Sequence, residues 1–158
     1  VREALFSALE ANVGLDGARV LDLYAGSGAL GFEALSRGAV LATLVESDAK
    51  AVAVLKGNAA TIGLPGVDIR PGRVAQILAT PPGAAYDIVF ADPPYAIEGT
   101  ELAAMLHALV DNGWTAPDST VIVERAARAG APDWPTPLSA DRSRRYGDTE
   151  LFWAIHLS

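Results

Sequence analysis

Apolar residues recur along this chain with two periods, and together they predict an alternation of helices and buried strands. Val1, Leu5, Ala8 and Leu9 lie at helical spacing and predict an opening amphipathic helix. Asn12 to Gly17 reads as a loop, and Val20 to Tyr24 as a short apolar strand. A glycine turn follows, then a helix from Ala29 to Arg37 closed by Gly38. Val40 to Val45 is a continuous apolar run ending in Glu46, the mark of a strand buried on both faces. Asp48 is placed to cap a helix through Ile62, with Ala51, Val54 and Leu55 turned inward. Val67 to Arg70 is a third strand, and Ala75 to Ala79 a short helix stopped by Pro81-Pro82-Gly83. A fourth strand, Tyr86 to Ala91, runs straight into Asp92-Pro93-Pro94-Tyr95. From Thr100 to Asn112, Leu102, Met105, Leu106, Leu109 and Val110 form one helical stripe. Thr120 to Val123 is a fifth strand ending in Glu124, and Ala127 to Pro137 is an irregular loop. Leu138 to Tyr146 and Thr149 to Leu157, joined at Gly147-Asp148, read as an antiparallel hairpin.

Five strands alternating with helices and a terminal hairpin predict an α/β fold. Its sheet has seven strands, mostly parallel, with helices on both faces. The 158 residues suffice for one domain spanning 1–158, with no linker or repeat inside it. The chain begins with Val1, and Arg2-Glu3 is already helix-like, so a native N-terminal segment is expected to be missing.

Composition narrows the function. Hydrophobic residues make up 51% and charged residues 20%, as in a globular domain. No apolar run is long enough for a membrane span, and no signal peptide is visible. Cysteine is absent, which excludes disulfides and thiolate metal sites and fits a cytoplasmic protein. His107 and His156 stand apart with no ligand company, so no metal site is expected and both read as structural. Trp114, Trp134 and Trp153 read as packing residues. The net charge of −7 argues against a general nucleic-acid-binding surface. Arg142, Arg144 and Arg145 form a local cluster that either flanks an RNA strand or solvates a hairpin edge.

Two stretches carry chemistry. Gly26-Ser27-Gly28-Ala29-Leu30-Gly31 satisfies the glycine pattern of dinucleotide sites, which leaves a nicotinamide-binding dehydrogenase open. Asp22, four residues before Gly26, weighs against it, because a carboxylate at that mouth repels a pyrophosphate and suits a cationic amino group. S-adenosylmethionine carries such a group and no phosphate. Asp92-Pro93-Pro94-Tyr95 is the stronger signal. Two prolines fix φ twice and hold the Asp92 carboxylate and the Pro93 carbonyl rigidly. Two fixed acceptors can grip both hydrogens of an exocyclic amine and stabilise the charge that develops as it attacks an electrophile. Pro94 borders the same place, and Tyr95 can stack on the base.

Leu21-Asp22-Leu23-Tyr24-Ala25-Gly26-Ser27-Gly28 together with Asp92-Pro93-Pro94-Tyr95 resembles the Rossmann-like class I S-adenosylmethionine-dependent methyltransferases. Val1-Arg2-Glu3-Ala4-Leu5-Phe6, the run from Asp22 to Gly38 and the closing Tyr146-Gly147-Asp148-Thr149 are similar to the bacterial RsmD type, which methylates guanine N2 in 16S ribosomal RNA. The resemblance covers essentially the whole chain. It implies that Asp22 contacts the methionine end of the cofactor, directly or through water, and that Gly26 and Gly28 let the backbone approach it. Ser27 belongs to the same turn and is expected to cap the following helix. Glu46 is expected to hold the ribose hydroxyls. The backbone of Arg73 and Val74 is expected to hold adenine, since the acid that many class I enzymes carry there is absent. Asp92, Pro93 and Tyr95 are then catalytic, and Pro94, Tyr95, Arg142, Arg144 and Arg145 contact the RNA. The implied partner is ribosomal RNA or the small subunit, met by a monomer. Relatives continue upstream into a basic arm, so the missing segment is expected to supply much of the RNA affinity. DNA adenine-N6 or cytosine-N4 methylation uses the same tetrad. Those enzymes carry a target-recognition segment for which 158 residues leave no room.

Overall fold

The computed structural model describes residues 1–94 and 96–158. Its elements are α1 (Arg2–Asn12), β1 (Arg19–Leu23), α2 (Ala29–Ser36), β2 (Leu41–Glu46), α3 (Ala49–Ile62), β3 (Val67–Pro71), α4 (Val74–Leu78), β4 (Ile88–Ala91), α5 (Gly99–Asp111), β5 (Thr120–Ala126), β6 (Leu138–Tyr146) and β7 (Thr149–His156). The strands form one sheet in the order β3-β2-β1-β4-β5-β7-β6. β1 to β5 are parallel, and β7 enters antiparallel between β5 and β6. This is the Rossmann-like class I methyltransferase architecture, with the order reversing between β1 and β4. A crevice opens at such a reversal, outside the carboxyl ends of the strands.

Strand alternation divides the core. Val20, Ala42, Leu44, Ile88 and Phe90 face α1, α2 and α3, where they pack on Phe6, Leu9, Phe32 and Leu55. Leu21, Leu23, Val45, Val89 and Val121 face α4 and α5, packing on Leu78, Leu102, Leu106 and Leu109. Both faces of the central strands are thus dry, which explains their unbroken apolar runs.

The structure corrects the expected edges in several places. The inward stripe of α3 is Val52 and Leu55, whereas Val54 is 53% exposed and Ala51 only half-buried. A single helix carries too few apolar residues to set its own phase, and the sheet selected the neighbouring stripe. The regular ladder of β4 begins at Ile88. Tyr86 before it is fully buried, with its hydroxyl 2.7 Å from Thr43 Oγ1 and its ring stacked on Trp114. β5 runs past Val123 to Ala126, because β7 continues the pairing opposite Glu124, Arg125 and Ala126. A single 3-10 turn, Ala127–Ala129, lies within the loop that follows. Ser27 does not cap α2. The cap position is Gly28, with no side-chain bond, and the Ser27 carbonyl instead accepts from Asn58 Nδ2 at 2.9 Å. Asp48 does cap α3, accepting from the Ala51 amide at 2.9 Å.

Candidate active site

The site grows from the carboxyl ends of β1, β2 and β4, which lie side by side. Asp22 is on the face of β1 that meets α2 and is only 3% exposed. Its Oδ2 accepts from the Gly31 amide in the first turn of α2 at 3.0 Å. The helix comes this close because Gly31 has no side chain. A Cβ there would stand 2.7 Å from Leu44 Cδ2 and 3.3 Å from Asp22 Oδ2. At the end of β1 the chain turns sharply, with Tyr24 at φ +60 and the Ala25 amide donating to the Val45 carbonyl at 2.9 Å. A tyrosine in the left-handed region is costly, and its ring lines the cleft beside the turn.

Glu46 does more than end β2. Its Oε1 accepts from the Gly26 amide at 2.8 Å and its Oε2 from the Asp48 amide at 2.9 Å. One carboxylate thus ties the glycine turn to the start of α3. Each oxygen keeps further acceptor capacity for a ligand. The Gly72 amide donates to the Glu46 carbonyl at 2.9 Å, which brings Arg73 and Val74 next to it. Glu46, Arg73 and Val74, with Tyr24, Leu78 and Pro94, line a cleft of about 780 Å3.

Asp92 follows β4 directly, and Pro93 is buried behind it. The Pro94 carbonyl accepts from the Ile97 amide at 2.9 Å, closing the loop. Tyr95, expected to stack on the base, lies outside the described residues. A second cavity, of about 280 Å3, lies between Asp92, Pro93 and Pro94 and the end of β5, where Glu124, Arg125 and Arg128 line it. Asp92 and Glu124 thus line one cavity, from neighbouring strands. Burial pushes both carboxyls up, and Asp92 beside it helps raise Glu124 to about 7. Glu124 carried no assigned role in the sequence reading. The available signal was an acid ending the strand next to the tetrad.

Asp22, Gly26, Glu46, Arg73, Val74, Asp92, Pro93 and Pro94 therefore meet at one end of the sheet. Arg142, Arg144 and Arg145 do not join them. They lie on β6, with β7 and β5 between them and β4, although the hairpin tip shares the same end of the sheet. Arg142 stacks over Trp153 at 4.3 Å and Arg144 over Tyr146 at 5.6 Å, while Arg145 Nε donates to the Gly147 carbonyl at 2.8 Å. His156 takes part in packing, its Nδ1 2.9 Å from Thr115 Oγ1.

A family model described as conserved hypothetical protein 95 matches residues 1–155. Ribosomal RNA small subunit methyltransferase D of Escherichia coli K12 is 40% identical over 147 residues, covering 93% of this chain and 72% of that relative. The chain belongs to this methyltransferase family. The solved structure of Escherichia coli yhhF superposes with a TM-score of 0.90 at 34% identity, covering 99% of this chain and 86% of that one. Magnesium protoporphyrin IX methyltransferase of Synechocystis, solved with S-adenosylmethionine bound, shares the fold at a TM-score of 0.75 and 19% identity, over 98% of this chain and 77% of its own.

Burial raises the Asp22 carboxyl from 3.8 to about 8, with the charges of Asp92 and Glu46 adding and the Gly31 amide opposing. Without cofactor, Asp22 is therefore mostly protonated near neutral pH in the folded chain and ionised in the unfolded one. A carboxyl raised on folding contributes its full stability below about pH 4 and loses it as the pH climbs to about 8. The urea midpoint of the protein is expected to fall between about pH 5 and pH 8, and Asp22→Asn should narrow that fall. Equal falls in both proteins would show that Asp22 is already ionised in the fold.

Proposed function

We propose that this chain transfers a methyl group from S-adenosylmethionine to the exocyclic N2 of a guanine in small-subunit ribosomal RNA. The observation that carries the reading is the convergence of Asp22, Glu46 and Asp92-Pro93-Pro94 at the ends of three adjacent strands. Family membership supports the substrate, since the Escherichia coli relative is a ribosomal RNA small subunit methyltransferase. The work would take place in the cytoplasm, where ribosomes are.

The donor set fits this cofactor and not a dinucleotide. The Gly26 amide of the turn is occupied by Glu46, and the Gly31 amide is turned inward onto Asp22. What the neighbouring strand ends supply is carboxyl oxygen, from Glu46 at the cleft and from Asp22 behind the turn. That suits a cationic amino group near Asp22 and hydroxyl donors near Glu46. The backbone of Arg73 and Val74 closes the adenine end of the cleft. When bound, S-adenosylmethionine supplies a methyl group on a positively charged sulfur. Asp92 and the Pro93 carbonyl hold the two hydrogens of the amine, favour a pyramidal nitrogen and turn its lone pair toward the methyl, and the Asp92 carboxylate takes the proton that N2 loses once the N–C bond has formed. The aromatic residue after Pro94 in the sequence, Tyr95, is assigned the role of a stacking partner for the extruded base.

The test is methyl transfer from labelled S-adenosylmethionine to small ribosomal subunits from a strain lacking the protein, followed by mapping of the modified base. Labelled N2-methylguanine at one position is expected. Label on adenine or cytosine, or none, would defeat the reading. Calorimetry should show binding of S-adenosylmethionine and its demethylated product but not of NAD. Glu46→Ala should weaken cofactor binding by about 1–3 kcal/mol, the scale of hydrogen bonds to a charged group. Tight NAD binding with no S-adenosylmethionine binding would turn the assignment toward a dehydrogenase.

A further inference from the structure

Asp92 follows β4, and Glu124 lies at the same level within the adjacent parallel β5. Ala91 pairs with Val123, so the next residue on each strand is an acid. Both line the cavity of about 280 Å3 that Pro93 and Pro94 also border. Both also line a smaller one, of about 230 Å3, on the α1 side of the sheet. Glu124 is half-buried and opposite apolar Leu151 in β7. Holding a second carboxyl against the first costs stability, because two carboxylates in contact cannot both ionise freely. Arg125 and Arg128 line the larger cavity and Arg2 the smaller, yet among the described residues no ion pair joins them to Asp92 or Glu124, and Arg125 donates instead to the Gly130 carbonyl at 2.8 Å. A pair of acceptors side by side at the end of the methylating tetrad calls for a ligand with a matching pair of donors.

Guanine alone among the four bases presents that pair beside its exocyclic amine. It offers N1–H next to N2–H2. Adenine offers a bare N1 next to N6–H2, and cytosine a bare N3 next to N4–H2. A carboxylate facing either lone pair is repelled and leaves an acceptor unpaired. We propose that Glu124 is the base-reading residue of this site, accepting the N1–H of the target guanine while Asp92 and the Pro93 carbonyl hold N2. The incoming N1–H gives Glu124 the donor that a neighbouring carboxyl acceptor does not supply. The tetrad alone grips any exocyclic amine, so Glu124 selects guanine over the two bases that the same tetrad serves elsewhere. The inference rests on the guanine-N2 reading above.

The experiment uses reconstituted small subunits carrying either guanine or 2,6-diaminopurine at the mapped position. Diaminopurine keeps the 2-amino group and replaces N1–H by a lone pair. Single-turnover methyl transfer is measured for the wild type, Glu124→Gln and Glu124→Ala. The wild type should prefer guanine by roughly 10–100-fold, the range for a hydrogen bond to a charged group. Glu124→Gln can donate its amide to the bare N1, so its preference should fall by about tenfold or more, with diaminopurine still methylated. Glu124→Ala should also lose most of the preference. Variants that keep the wild-type ratio would overturn the proposal. So would variants inactive on both bases that still bind S-adenosylhomocysteine, since Glu124 would then serve the chemistry and not the reading. If the wild type leaves guanine N2 unmethylated in the control subunits, the functional reading itself falls, before any variant is compared.

Discussion

Asp92→Ala is expected to slow single-turnover methyl transfer by about 10²–10³-fold, the cost of removing one preorganised partner of a developing charge. The carboxylate stands where β4 ends, and the strand behind it, Ile88 to Ala91, is fully buried and paired on both sides. Pro93 and Pro94 then fix the chain direction, so the group is held in place before substrate arrives. Cofactor affinity should change little, because the cleft walls come from Tyr24, Glu46, Arg73 and Val74. Stability should hold or rise, since the substitution removes a carboxyl held beside Glu124. Asp92→Asn keeps one acceptor oxygen in the same shape and should lose less. The measurement is a rapid-quench single turnover with saturating cofactor, paired with calorimetry on S-adenosylhomocysteine. A near-normal rate for Asp92→Ala would show that the acid does not grip the amine.

The second large effect is on folding. Gly28→Ala is expected to destabilise the protein by about 2–5 kcal/mol, combining a left-handed backbone cost of about 1–2 with an overpacking cost of about 1–3. Gly28 has φ +85 and starts α2. A Cβ there would lie 2.5 Å from both Leu55 Cδ1 and Phe32 Cε2, and neither neighbour can move freely, because both belong to the buried core. Against a total stability of about 5–15 kcal/mol this is a large share. Gly26→Ala provides the contrast. Gly26 has φ +59 with no atom within 4 Å of the added Cβ, which would project into open space at the turn. It should cost stability only through the backbone and should reduce cofactor affinity more than Gly28→Ala does in the folded fraction. Urea unfolding of both variants, followed by cofactor titration, separates the two roles. Equal stability losses would mean that the clash at Gly28 is relieved elsewhere.

The glycine turn carries its assignments unevenly. Gly26 and Gly28 share one expectation, yet a side chain at Gly28 would meet Leu55 and Phe32, while open space surrounds Gly26. Ser27 was expected to cap α2, yet a glycine in the left-handed region occupies the cap and needs no side chain. Both differences arise because a turn motif specifies backbone shape in its letters, while the space around each residue is set by packing, at Gly28 by Phe32 of α2 and by Leu55 of the distant α3.

What the sequence determined by itself was whatever local chemistry decides. Continuous apolar runs fixed which segments are doubly buried strands, helical stripes marked α1 and α5, and glycine and proline placed the turn after β1 and the rigid exit from β4. The acids at or near the strand ends, Asp22, Glu46 and Asp92, were legible as candidate site residues because a charge in or just after an apolar run needs a polar partner. Only the tertiary structure decided how those acids are used. Pairing of Ala91 with Val123 set Glu124 beside Asp92, and the approach of α2 turned the Gly31 amide onto Asp22. The same pairing order left Arg142, Arg144 and Arg145 on the outermost strand, stacked on Trp153 and Tyr146 or bonded to Gly147, away from the tetrad. Strand order and register are properties of contacts between distant segments, and no local pattern of residues encodes which strand becomes whose neighbour.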